Sequence, residues 1–192
     1  MLARRRVDVA DLNARARQVL KDNGYLDATT EATVAGLELC EGDWVLARRN
    51  DRRIGVHNGD LGVVAHIDDG AVTVALDRGP TVTIPVDYIE RGHLDHGYAL
   101  TVHKAQGATC DRTFVLGDES LHQELGYTAM SRGRQRNQLY VMATDLERDN
   151  PGGHDTIDHR PFDLVEALRR SEAQQLASEL LPKRKRSVGI EL

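Results

Sequence analysis

Apolar residues change their spacing twice along this chain, and the two changes divide it into three stretches. After an apolar stub at Met1-Leu2-Ala3, Val9, Leu12, Ala16 and Val19 follow a period of 3.6, which predicts a helix capped by Asp8 and closed by Asn23-Gly24. Residues 25 to 40 carry no clear period and read as a loop or short strand. From Gly42 to Ile89 the period falls to two. Trp44/Leu46 begins it, Leu61/Val63/Ala65/Ile67 continues after Asn58-Gly59, and Val72/Val74/Leu76 joins Val82/Ile84/Val86 across Asp77-Arg-Gly-Pro80. Four or five short strands in so few residues predict a small barrel of SH3-like size, which must close or cover its edges.

Beyond Gly92 the spacing alternates again between strand and helix. Tyr98–Val102 and Thr113–Leu116 read as strands, Glu119–Ser131 as a helix and Leu139–Ala143 as a further strand. Strands separated by helices predict a parallel sheet with functional residues at the strands' carboxyl ends. The turn holding Lys104 directly follows one such end. A polar linker from Asp145 to Arg160 leads to a helix opened by Pro161 and running through Phe162, Val165, Leu168, Leu176 and Leu180, then to a basic tail at Lys183–Arg186.

Composition narrows the functions available. With 25 Lys+Arg against 30 Asp+Glu the net charge is -5, which excludes a basic coat for nucleic acid but leaves room for local positive patches such as Arg48-Arg49 and Arg132/Arg134/Arg136. The two cysteines, Cys40 and Cys110, lie far apart and support neither a zinc ribbon nor a disulfide framework; a reducing cytoplasm fits, with Cys110 expected as a small buried residue beside the turn. No run approaches the ~20 apolar residues of a membrane span. His93-x-Asp95-His96 and His154-Asp155 with His159 are of metal-ligating type, but no recognised ligand set contains them, and no metal site is expected. Met1 leads at once into a strand and helix, as though the chain starts partway through a fold.

Two segments carry most of the chemistry: Gly97-Tyr-Ala-Leu-Thr-Val-His-Lys-Ala-Gln-Gly107 and Tyr127-Thr-Ala-Met-Ser-Arg-Gly-Arg134. The first runs from an apolar strand into a turn with Lys104 and Gln106, closed by a glycine that allows close backbone approach. The second presents Arg132 at a helix end. An arginine so placed can neutralise charge in a phosphoryl-transfer transition state, a contribution of ~10³–10⁵ in rate. No Gly-x-x-x-x-Gly-Lys-Ser/Thr loop occurs in the sequence, so a phosphate cradle of the usual kind must come from another polypeptide or domain.

Taken in order, Gly42-Asp-Trp-Val-Leu46, Arg49-Asn-Asp51, Asn58-Gly-Asp-Leu-Gly62, Tyr98–Gly107 and Tyr127–Arg132 resemble the C-terminal half of superfamily 1 DNA helicases, in the branch of RecD and of conjugative relaxases of the TraA/TrwC type. The resemblance implies an α/β fold: a RecA-like parallel sheet with helices (lobe 2A) over 1–40 and 93–145, an inserted SH3-like β-barrel (2B) over 41–92, and a linker and C-terminal helix with basic tail over 146–192. It implies a motor lobe working 5′→3′, with no ATP hydrolysis by the chain alone. ATP and Mg²⁺ are then needed only together with a lobe bearing the phosphate loop, joined in cis or in trans, and the other partner is single-stranded DNA. Arg132 corresponds to the γ-phosphate finger, and Arg4, or Arg5 or Arg6 beside it, to a second contact. Lys104, Gln106 and Gly107 stand at the nucleotide-coupling turn, Thr101 and His103 near DNA phosphates, and Arg48, Arg49 and Asn50 of the barrel are candidates for backbone contact. Many relatives carry a glutamate, matched to the nucleotide ribose, where Thr109 stands. At 4% the aromatic residues are too few for a continuous stacking platform; Trp44 or Tyr98 could hold one base, although the alternation places Trp44 in the barrel core. The alternative reading is a nonenzymatic module of the same fold that binds single-stranded DNA or a protein partner.

Overall fold

The computed structural model of the chain describes residues 1–118, 121–141 and 164–172. In chain order it contains β1 (Leu2–Ala3), α1 (Arg6–Asp22), a 3-10 turn (Ala28–Thr30), β2 (Ala32–Val34), β3 (Leu37–Leu39), β4 (Trp44–Ala47), β5 (Leu61–Asp68), β6 (Ala71–Leu76), β7 (Thr81–Pro85), α2 (Val86–Glu90), β8 (Leu94–His96), β9 (Leu100–Thr101), β10 (Cys110–Gly117), α3 (Gln123–Met130), β11 (Gly133–Val141) and α4 (Leu164–Arg169). The linker, most of the terminal helix and the basic tail expected beyond residue 145 lie outside the described residues.

Four strands form a parallel sheet in the order β11-β10-β1-β9. The central strand is very short, yet Leu2 pairs with both Leu100 and Val115. Leu2, Val102, Ala105, Val115, Leu121 and Leu125 make its core. Between α1 and β9 the chain builds a second sheet, antiparallel, in the order β7-β6-β5-β4-β8. Because β8 pairs with β4, this sheet runs past residue 92 to His96. Val45, Val64, Val72, Val74 and Ile84, each at most 1% exposed, fill its inner face. Full burial of a Val or Ile side chain contributes ~1.5–3 kcal/mol, so this face supplies much of the holding energy of the insertion.

Local departures from the sequence reading have identifiable causes. Asp8 sits inside the first turn of α1, where Arg5 takes the capping position and the two side chains bond to each other at 2.8 and 2.9 Å. The residues of α1 that are buried are Asn13 and Arg17, while Val19 is 58% exposed. The stretch 25–40, read as a loop or short strand, contains the β2–β3 hairpin, turned at Ala35-Gly36, both with positive φ as a tight two-residue turn requires. In β5 the buried positions are Gly62 and Val64, so the alternation read through Leu61, Val63 and Ala65 has the wrong phase, and the register shift between Val64 and His66 then returns Ile67 to the core side.

Candidate functional site

At the carboxyl end of β9 the chain enters a turn held by its own backbone: the Ala105 N–H donates to the Thr101 carbonyl at 3.1 Å, Gln106 to His103 at 3.3 Å and Ala108 to Ala105 at 3.0 Å. The Lys104 N–H donates to the Thr101 hydroxyl at 3.3 Å. Val102 and Ala105 anchor the turn in the core of the parallel sheet, which leaves His103, Lys104 and Gln106 exposed. Gly107 has φ +87°, a left-handed conformation that costs a side-chain-bearing residue ~1–3 kcal/mol.

Helix α3 ends at Ser131, and Arg132 follows it. The Arg132 carbonyl accepts from the Cys110 N–H at 3.0 Å, joining this helix end to the start of β10. Gly133 is clamped next to it: the Asn137 carboxamide accepts from its N–H and donates to its carbonyl, both at 2.9 Å. The Arg132 guanidinium, half-buried, donates to the Thr128 carbonyl at 2.9 Å, the Ser131 hydroxyl at 2.9 Å and the Ala108 carbonyl at 3.3 Å. It therefore reaches back to the last residues of the Lys104 turn.

A cavity of about 780 Å³ opens where the start of β10 and β11 faces the antiparallel sheet, and Lys104, Gln106, Gly107, Arg132 and Arg134 all line it. The Lys104 ammonium donates to the Asn58 carboxamide at 3.2 Å. Burial, and then the positive charge of Arg48, lowers its pKa, and an anion beside it would raise it again. Four of the five residues expected at the nucleotide, Arg132 with Lys104, Gln106 and Gly107, thus share one space. Arg4 stands outside it, with its guanidinium 3.6 Å from Glu172.

The residues expected to touch DNA lie elsewhere. Thr101 and His103 sit on the turn but do not line the cavity. Arg48 pairs with Asp95 at 3.3 Å. Arg49 and Asn50 line a smaller polar cavity of about 330 Å³ with Tyr88 and His93. Asn50 also accepts the Asn58 N–H at 2.7 Å, which links that loop to the lysine of the turn.

Three features were misread or missed. Trp44, expected in the core, is 38% exposed and lines the larger cavity. Cys110, expected buried, is exposed, because it begins a strand at the cavity rim. A buried polar joint escaped the sequence reading altogether. Asp43, fully buried, accepts from Arg17 Nε at 3.0 Å, from the Tyr98 hydroxyl at 2.6 Å and from the Cys40 N–H at 2.6 Å. Arg17 also reaches Glu31 at 2.8 Å. Burial alone would lower the arginine's pKa; the hydrogen bonds to Glu31 and Asp43 more than reverse that and raise it. The same burial, with the bond to Asp43, raises the pKa of Tyr98.

No protein-family model matches the chain. The conjugal transfer protein TraA of Agrobacterium fabrum is 36% identical over 190 residues, 92% of this chain and 17% of that protein. The RecBCD enzyme subunit RecD of Mycolicibacterium smegmatis is 36% identical over 96 residues, 48% of this chain and 16% of its own length. The chain thus spans under a fifth of either relative. Among solved structures, the Pif1 helicase from Bacteroides in complex with ADP-AlF3 and ssDNA aligns with a TM-score of 0.54 and 21% identity, over 74% of this chain and 39% of that one. That likeness is one of fold: a parallel sheet with helices of the type found in RecA-like helicase domains. Among the described residues no helix is long and apolar enough to cross a membrane.

Proposed function

Taking as premise that this chain is a superfamily 1 helicase region homologous to parts of TraA and RecD proteins, we propose that it is the second RecA-like motor lobe of an ATP-dependent DNA helicase, with the antiparallel sheet as its SH3-like insertion. In this reading the nucleotide is held by the phosphate loop of another lobe, and that lobe also holds Mg²⁺. Arg132 supplies the finger. The observation that carries the proposal is the shared cavity: Arg132 and the turn residues Lys104, Gln106 and Gly107 line one space open to an anion. A guanidinium already bonded to carbonyls and a hydroxyl can exchange those neutral acceptors for phosphate oxygens, which make stronger, charge-assisted bonds. In the transition state the same contact neutralises charge as it develops. Single-stranded DNA would run over the other side of the turn, past Thr101 and His103 and towards Arg48, Arg49 and Asn50.

The test is reconstitution. Mixed with, or fused to, a lobe bearing the phosphate loop, the chain should support DNA-stimulated ATP hydrolysis, and Arg132→Ala should lower kcat by ~10³-fold or more while strand binding persists. Arg132→Lys should not restore it, since an ammonium lacks the bidentate fork. Unchanged turnover in Arg132→Ala removes the finger assignment.

A second reading draws on the same three hydrogen bonds of Arg132, which satisfy it within the chain: a module that binds single strands or a protein partner without coupling to ATP. Titration of single-stranded DNA at two salt concentrations separates the two kinds of partner. A phosphate-binding surface weakens as salt rises, and an absence of binding at low salt favours a protein partner.

A further inference from the structure

Trp44 is held for display. In β4 its neighbour Val45 is 1% exposed and faces the core, so alternation turns the indole to the opposite face, where it remains 38% exposed and lines the larger cavity. Its backbone is fixed on both sides. The Trp44 carbonyl accepts from Gly97 N–H at 2.8 Å, and its N–H donates to the Tyr98 hydroxyl at 3.3 Å, which is itself bonded to the buried Asp43. Gly97 is required for that approach, since a Cβ there would lie 2.8 Å from Leu61 and 3.0 Å from the Val45 carbonyl. A large aromatic left part-exposed on a backbone this constrained has a surface available at little ordering cost.

The rest of the cavity wall says what would use it. Lys104, Arg112, Arg132 and Arg134 offer cations, partly offset by the carboxylates of Asp60, Asp77 and Asp111. Cations alone would suit any anion, whereas a flat π face beside them suits a ligand with a charged part and a planar part. We propose that Trp44 is a stacking platform for a nucleobase, so that this cavity takes a whole nucleotide unit, base as well as phosphate, either from a single strand or from a free nucleoside triphosphate. The inference rests on the reading that the cavity receives phosphate and adds recognition of the base to it.

Because Trp44 is the chain's single tryptophan, its fluorescence reports on this position alone. The full chain is titrated at low salt with oligothymidylate, with an abasic strand of equal length and with ATP, while anisotropy of labelled strands follows binding independently. Oligothymidylate should quench the emission and the abasic strand should bind without quenching; quenching by ATP instead assigns the base to the free nucleotide. Trp44→Leu should weaken oligothymidylate about tenfold, leave abasic affinity unchanged, and be largely rescued by Trp44→Phe. The unchanged abasic affinity also shows that the variant is folded. If thymidylate and abasic strands bind the native chain equally, with no quenching by either or by ATP, the platform is wrong and the phosphate reading stands. Equal loss of both strands in Trp44→Leu likewise overturns it, and failure of every ligand to bind overturns both readings.

Discussion

His66 stands between two carboxylates, with Nδ1 2.7 Å from Glu41 and Nε2 3.1 Å from Asp68. The hydrogen bond to Glu41, and then the charge of Asp68, raises its pKa above the usual 6.5. A raised folded value means the protonated imidazole is favoured in the native state. The stability it contributes is complete below the unfolded pKa of ~6.5 and is lost as pH rises through the folded value. Histidine NMR should therefore show His66 titrating above its free value, and Glu41→Gln should bring the midpoint down; a midpoint at or below the free value refutes the contact. At this scale the sequence was legible where a residue's type fixes its chemistry. Lys104, Gln106, Gly107 and Arg132, which the resemblance places at the nucleotide, line one cavity, and Arg4, placed there with them, does not. It was not legible where burial depended on a second element. Alternation assigns Trp44 a face but cannot say what covers that face, and Cys110 looked apolar without any sign that a cavity adjoined it.

Among elements, the helix–strand junction at Arg132-Gly133 is tightly built. A Cβ on Gly133 would lie 2.5 Å from the Arg136 carbonyl and 2.6 Å from the Asn137 carboxamide that clamps it. Backbone is involved, so relief requires the junction itself to shift. Gly133→Ala should cost ~1–3 kcal/mol, read as a fall in the midpoint of thermal unfolding, and should disturb Arg132 more than Lys104. An unchanged midpoint would show that the junction yields freely. Of the parallel strands, β10 was visible through its apolar run Phe114-Val-Leu116, whereas β11 begins at Gly133, ahead of the strand read from Leu139, because its first residues are polar. The phase of β5 was not visible, because a glycine holds one of its two buried positions, Gly62 and Val64, while apolar Leu61, Val63 and Ala65 lie on the other face, and the bulge after Val64 then moves Ile67 to the core side. The β2–β3 hairpin was missed for a related reason: three-residue strands are too short to establish a period.

Across the whole molecule, the two sheets are joined by charge as well as by packing. Arg17 belongs to the helix beside the parallel sheet, Asp43 opens the antiparallel one, and Tyr98 lies where the chain returns. The Arg17 side chain is 7% exposed and that of Asp43 is 0%. Truncating Arg17 to Ala strands a buried carboxylate, and the expected cost is ~3–5 kcal/mol, measurable as a shift in the urea midpoint. A loss below ~1 kcal/mol, the range of exposed pairs, would mean that water replaces the guanidinium. Nothing local predicts this joint, since its members lie in three separate segments and only the folded topology brings them together. The order of motifs, by contrast, was enough to place the chain among helicase-like sequences, because order survives without knowledge of contacts.

The two-residue strand β1 sits at the centre of the parallel sheet, and both of its neighbours come from far later in the chain. Its partners therefore become available only after the antiparallel insertion has been made. The antiparallel insertion, whose strands mostly pair with sequence neighbours, can mature while Leu2 and Ala3 wait, and by drawing its own ends together it shortens the loop that must close before Leu100 arrives. The insertion thus acts as a splint for the assembly of the sheet that interrupts itself to contain it.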